Sequence, residues 1–311
     1  MKLLIISIYS LLFFVAIACS DKQQTKGIAS TIDSTLQVKV TDILENKLSE
    51  IDAISGKVIV METNTKAIKA IVSLKKNSID YREEPSCDTP QETGLFSVFS
   101  TIAALESGKV KYNDTFDTGN GVFVYNGDTI KDCNWQRGGY GELNIEQGIG
   151  VSSNITMVKE VLQAFGNNPQ GYFNELAKLG IKADVSDKLH YAALGYNQNL
   201  TPIQLVELFN NIANDSLPAS KLTMQNIRTA LEASVKDGLD KPANSDRIKV
   251  AGKSGIIQIS DSIYRVEFCG YFPAGKPKYT ILVTIDKANL PVSGGLMAGD
   301  VFRKIVESLT K

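Results

Sequence analysis

Apolar residues recur at helical spacing from Ile32 to Ile51 (Leu36, Val38, Val40, Ile43, Leu44, Leu48), which predicts a helix. Gly56-Lys57 then leads into the apolar run Val58-Ile59-Val60-Met61. Asn64-Thr65-Lys66 supplies turn residues, and Ile68 to Leu74 is a second strand-like run. The two runs read as a β-hairpin. After a polar loop from Lys75 to Thr93, Phe96 to Glu106 is helical in pattern and stops at Ser107-Gly108. Residues 109–140 mix short strands with turns rich in Gly, Asn and Asp. Ile145 to Phe165 is helical but broken near Gly148-Ile149-Gly150, with Asn154 close to a new helix start. Tyr172 to Lys178 predicts a short helix. Thr201-Pro202 opens another through Ile212, with Thr as N-cap and Pro at the first position. Met224 to Val235 is a further helix. The chain then turns strand-rich at Lys249–Ile259, Val266–Phe272 and Tyr279–Ile285, and closes on an amphipathic helix from Val301 to Leu309. Two early strands, a helical middle, three late strands and a final helix predict one α+β unit. Its sheet joins strands from both chain ends, with helices on each side.

The extreme N-terminus has a different pattern. Lys2 is followed by an apolar run from Leu3 to Ala18, then Cys19-Ser20-Asp21-Lys22. A basic start and a run this short fit a secretory signal better than a full membrane span. Small residues before the Cys, in Ala16-Ile17-Ala18-Cys19, resemble the lipobox of bacterial lipoproteins, although Leu is usual where Ala16 stands. The expected organisation is a signal peptide over 1–18, a lipidated Cys19 with a flexible polar tether over 19–35, and one folded domain over 36–311. An uncleaved anchor and plain secretion are the alternatives, and each exports the chain.

The 311 residues are 43% hydrophobic and 22% charged, an ordinary globular balance with length enough for a sizeable core. The formal net charge of −1 gives no sign of a nucleic-acid partner. The single His, His190, argues against a His-based triad or a multi-His metal site, whereas serine chemistry with a lysine base needs none. Cys87, Cys133 and Cys269 lack metal-ligand spacing, and no metal or cofactor is implied. One disulfide is possible among them in an oxidising compartment; buried free thiols are the preferred reading.

Several short stretches, in order, carry a resemblance. Ser152-Ser153-Asn154 precedes the helical Ile155–Lys159. Leu200-Thr201-Pro202-Ile203-Gln204-Leu205 starts a helix. Ala251-Gly252-Lys253-Ser254-Gly255 enters a strand, and Phe268-Cys269-Gly270-Tyr271-Phe272-Pro273-Ala274 follows. With the hairpin Val58–Glu62/Ile68–Ile71 and Ala103-Ala104-Leu105-Glu106-Ser107-Gly108, the region from about residue 55 onward resembles the transpeptidase domain of class B penicillin-binding proteins. That resemblance implies a β-lactamase/transpeptidase-like α+β fold: a central antiparallel sheet, helices on both faces and a helical subdomain. It also implies a place in the bacterial cell envelope, on the periplasmic side. The pedestal domain usual in class B proteins is expected to be absent.

The family attacks a D-alanyl-D-alanine carbonyl with a serine, and a lysine three residues later takes the proton. Alignment on Ala103–Glu106 puts Gly94 at the nucleophile position and Ser97 at the base position. No Lys lies between Lys76 and Lys109, so no shift of register restores the pair. Ser73/Lys76 and Ser308/Lys311 match the spacing but lie at the end of the hairpin and at the chain terminus. The rest of the binding cleft is implied by Ser152, Asn154, Lys253, Ser254, Gly255 and Ile256. Ser152 takes the proton-relay position, Asn154 that of the amide holding the substrate backbone, and Lys253 that of the cation attracting the substrate carboxylate. Ile256 replaces a carboxylate-binding hydroxyl. Ser and Asn also cap helices, and Lys253 can be read as an exposed strand lysine. The strand edge from Gly255 to Gln258 can still pair with an extended peptide.

These departures point to a pseudoenzyme that binds peptidoglycan stem peptide or a β-lactam non-covalently, or a cell-wall synthesis or division protein, and meets the membrane through its lipid anchor. The alternatives are an active serine D,D-transpeptidase or carboxypeptidase using a relocated serine such as Ser86 or Ser97, and a partner-binding module with a closed cleft.

Overall fold

The first helix, α1 (Ser34–Glu50), starts where Asp33 accepts hydrogen bonds from the backbone N–H groups of Thr35 and Leu36. The computed structural model describes residues 31–84, 89–186 and 188–310. The apolar leader, Cys19, Ser86 and Cys87 lie outside the described residues. The end of the expected tether differs from the expectation. Thr31 Oγ1 donates to the Ile68 carbonyl and the Asp33 N–H to the Lys69 carbonyl, so residues 31–35 already belong to the fold.

Strands β1 (Ser55–Glu62), β2 (Ile68–Asn77) and β3 (Asp80–Glu83) follow. A two-residue strand, β4 (Gln91–Glu92), precedes helix α2 (Phe96–Glu106). Short ribbons come next: β5 (Thr115–Asp117), β6 (Val122–Tyr125), β7 (Asp128–Lys131) and β8 (Glu142–Asn144). The helical subdomain then holds α3 (Ile145–Gly150), α4 (Asn154–Phe165), α5 (Pro169–Lys178) and α6 (Leu189–Ala193). After β9 (Asn199–Leu200) it adds α7 (Pro202–Ala213) and α8 (Lys221–Lys236). Strands β10 (Ala251–Gln258), β11 (Ile263–Phe272) and β12 (Tyr279–Ala288) and helix α9 (Asp300–Leu309) complete the chain.

Six strands form one sheet in the order β10-β11-β12-β1-β2-β3, with every neighbouring pair antiparallel. Both chain ends meet at its centre, where Val58 lies opposite Val283 on one side and Val72 on the other. Successive strand residues face opposite sides, and here both sides are covered. Val58, Val60, Val266, Phe268, Val283 and Ile285 pack with α1 and α9, through residues such as Leu44, Leu48, Phe302 and Ile305. Ile59, Met61, Cys269, Tyr271 and Leu282 pack with the helical subdomain, through Phe99, Phe209 and Leu231 among others. Burial on both faces is why Val58–Met61 is a continuous apolar run rather than an alternating one. Strand β10 is the sheet's edge, and its outer side faces the start of α2. No helix among the described residues is long and apolar enough to cross a membrane.

Candidate functional site

Lys253 lies on β10 opposite Cys269, so its side chain enters the face covered by the helical subdomain. It is buried there beside an equally buried carboxylate: the Lys253 and Asp240 side chains are 2% and 0% exposed. Its Nζ donates to Asp240 Oδ2 at 2.9 Å, to Ser152 Oγ at 2.6 Å and to Ser254 Oγ at 3.4 Å. An ammonium has three N–H donors, and here they meet three acceptors. Ser234, on α8, donates to the same Asp240 oxygen at 2.5 Å. Ser152 sits at φ +52°, a left-handed conformation that a non-glycine residue keeps only where its surroundings enforce it.

One residue further on, Ser153 is the N-cap of α4. Its Oγ accepts from the Thr156 N–H and donates to both carboxylate oxygens of buried Asp132. Burial pushes the Asp132 carboxyl up from its ordinary value, against hydrogen bonds from the Ile155 N–H and Ser153. Asn154 is exposed, and its side-chain N–H donates to the Lys131 carbonyl at 2.9 Å. The cap is therefore Ser153, Ser152 faces the lysine, and the Asn154 amide is held by β7.

Across the cleft, Thr93-Gly94 lies directly on β10. A Cβ built on Gly94 would sit 2.5 Å from the Ile256 nitrogen, 2.9 Å from its carbonyl oxygen and 3.0 Å from the Gly255 carbonyl carbon. One built on Gly255 would meet the carbonyl carbon of Gly94 and the nitrogen of Leu95 at 2.7 Å. These are backbone atoms, so side chains cannot move aside to make room; two glycines allow the approach. The contact covers the Ile256 backbone that an extended peptide would need for strand pairing. A carboxylate holds the segment in place: Glu267 Oε2 accepts from Thr93 Oγ1 at 2.6 Å and from the Gly94 N–H at 2.9 Å. Glu267 is fully buried, and burial raises its carboxyl to about 7 despite those hydrogen bonds and nearby Arg265. Ser97, half-buried on the first turn of α2, donates to the Gly94 carbonyl at 3.3 Å. Ile256 turns its side chain outward and is 47% exposed.

Comparison with known proteins fixes the ancestry of this arrangement. The family model for the penicillin binding protein transpeptidase domain matches residues 56–307. The chain belongs to that family. Among curated relatives of this transpeptidase family, it is 23% identical to the peptidoglycan D,D-transpeptidase FtsI homolog of Mesostigma viride, over 93% of this chain and 62% of that protein. It is 24% identical to the probable peptidoglycan D,D-transpeptidase PbpC of Pseudomonas aeruginosa, over 91% of this chain and 58% of that one. The chain thus spans about three-fifths of the length of these relatives. Among solved structures, the transpeptidase domain of Burkholderia pseudomallei penicillin-binding protein 3 superposes with a TM-score of 0.74 at 24% identity, covering 90% of this chain and 94% of that one. A peptidoglycan glycosyltransferase from Burkholderia ambifaria gives 0.75 at 24%, covering 90% and 96%. The resemblance to class B transpeptidase domains and the expected α+β fold both hold.

Within this transpeptidase fold, the residues singled out in the sequence come together, with one turned aside. Ser152, Lys253 and Ser254 share one hydrogen-bonded cluster, Gly94 packs on Gly255 and Ile256, and Asn154 points to β7. The reading of Lys253 as an exposed strand lysine is overturned by its burial. Of the cysteines, Cys269 is buried and free as expected, whereas Cys133 is free but exposed. Sequence reading missed Asp240, Ser234, Thr93 and Glu267. Glu267 left a signal, a lone acid inside the apolar run Val266–Phe272; Asp240, in a turn after Gly238-Leu239, left none. Among the described residues no three His, Cys, Asp or Glu side chains gather to hold a metal ion.

Proposed function

We propose that this chain is a non-acylating, transpeptidase-fold protein of the bacterial cell envelope, lipid-anchored through Cys19, that binds peptidoglycan stem peptide or a cell-wall partner in peptidoglycan synthesis. The observation that carries the reading is the Gly94 contact. A nucleophile at this position needs a Cβ and an oxygen, and the Ile256 backbone occupies that space. With Ser97 one turn on, the position has neither nucleophile nor base, and a hydroxyl without an adjacent base is a weak nucleophile. Peptidoglycan chemistry is carried over from the relatives, which are named as peptidoglycan D,D-transpeptidases, and the envelope location follows from that chemistry.

One observation favours an active enzyme: Ser152 and Lys253 lie at 2.6 Å, the distance of a serine from its general base. Against it, Ser152 does not stand at the family's nucleophile position, and the same amine is held 2.9 Å from Asp240. The test is a denaturing gel after incubation with a fluorescent penicillin. No band supports the non-acylating reading, and a stable band removable by Ser152→Ala would replace it with the active one. Titration with purified muropeptides separates ligand binding, which raises the melting temperature, from a closed partner-binding module, which does not respond.

A further inference from the structure

The cation at the centre of the cleft is already paired inside the protein. Lys253 and Asp240 are buried together, and the amine's donors are directed to Asp240, Ser152 and Ser254. A ligand carboxylate brought to this amine would have to share it with Asp240, placing two anions side by side in a desolvated pocket. Displacing Asp240 instead would leave it buried and unpaired, a costly state. Asp240 Oδ1, which has no hydrogen-bond partner among the described residues, is another acceptor rather than a donor.

Exposed apolar side chains lie on the segments next to the pair. A Cβ on Gly294 would lie 2.5 Å from the Ser254 Cβ, and one on Gly295 would lie 2.7 Å from the Leu239 carbonyl oxygen, so this turn bridges Ser254 and Leu239. Leu296 leaves the same turn 63% exposed, Leu239 precedes Asp240 at 49%, and Ile256 stands two residues beyond Ser254 at 47%. Exposed apolar side chains on the loop and turn next to a neutralised ion pair suit a ligand without charge.

We propose that Asp240 is the specificity-determining residue of the cleft. As a built-in counter-ion for Lys253, it directs the site toward uncharged, chain-internal peptide with apolar side chains and away from a peptide ending in a free carboxylate. The proposal rests on the reading that the cleft binds peptide without acylation. It predicts that the full chain does not favour N-acetyl-D-alanyl-D-alanine over its C-terminal amide when each is titrated and the melting temperature followed. Asp240→Asn, which removes the internal anion, shifts the acid-to-amide affinity ratio toward the acid by about tenfold, the scale of one hydrogen bond to a charged group. Asp240→Ser keeps a hydroxyl for Ser234 and makes the same test should the amide variant not fold. A wild-type preference for the acid of about tenfold or more overturns the proposal. So does an unchanged ratio in the folded Asp240 variant, including a variant that still ignores both probes. A covalent penicillin adduct is a different failure: it removes the non-acylating reading and is seen without these probes.

Discussion

Gly94 is the residue on which the proposed reading turns. Adding one methyl at this position drives a Cβ into the Ile256 backbone, so Gly94→Ala is expected to cost about 1–3 kcal/mol, as overpacking does elsewhere. Urea unfolding measures it; an unchanged midpoint would show that β10 yields freely and that the pocket opens. Asp240 is the second decisive residue. Asp240→Ala leaves the Lys253 ammonium buried without its partner and should cost about 3–5 kcal/mol. Asp240→Leu combined with Lys253→Met removes both charges and should recover most of that loss. Additive losses in the double variant would mean that the two residues act separately.

At the scale of elements, α2 and α4 are joined through a buried acid. Thr101 Oγ1 donates to Glu160 Oε1 in a short hydrogen bond, and Glu160 Oε2 has no hydrogen-bond partner among the described residues. Burial raises the Glu160 carboxyl from 4.5 to about 8, and Glu267 rises in the same way to about 7. The folded state then keeps protons that the unfolded state has already lost between pH 4.5 and these values. Stability falls as pH rises through that window, with the full contribution present below it. Asp300, lowered to about 2 with Lys304, Lys47 and Arg303 donating to it, acts in the opposite direction and only below pH 3.8. Melting temperature should therefore decline from pH 5 to pH 8, and Glu160→Gln should flatten the decline; an equally steep slope in the variant would locate the proton elsewhere. Ser153→Ala removes the α4 cap and is expected to cost about 1–2 kcal/mol, read by chemical denaturation.

The same scale shows what the sequence made legible. Val58–Met61 and Val266–Phe272 were readable as strands because burial on both faces leaves long apolar runs. Thr201-Pro202 with Gln204 was readable as a helix start because a capping box and an N-terminal proline are local chemistry. Leu189–Ala193 was not readable, because five residues show no period. The two-residue pair of Gln91–Glu92 with Asn199–Leu200 exists only through tertiary contact. At the site, Ser152, Lys253 and the vacancy at Gly94 were visible because their motifs are local. The closure over Gly94 was not, since it is a backbone approach between segments about 160 residues apart, and Asp240 reaches Lys253 across a turn without periodicity.

At the scale of the whole molecule, the fold is that of solved transpeptidase domains, and what we propose concerns the site alone. The six-stranded sheet, its two covered faces and the helical subdomain match solved transpeptidase domains. The features on which the proposal rests lie near the sheet's edge: Gly94 packs on β10, Glu267 of β11 holds Gly94, and Asp240, just beyond α8, holds Lys253. On the proposed reading, this scaffold serves binding rather than the making of an acyl-enzyme. The measurement that tests this most directly is intact-mass spectrometry of the purified chain after incubation with excess penicillin, run beside Gly94→Ser/Ser97→Lys. The account predicts the unmodified mass for the natural chain, and the same for the double variant because β10 leaves no room for the new serine. A mass increase of one penicillin on the natural chain, mapped to any serine, would contradict it.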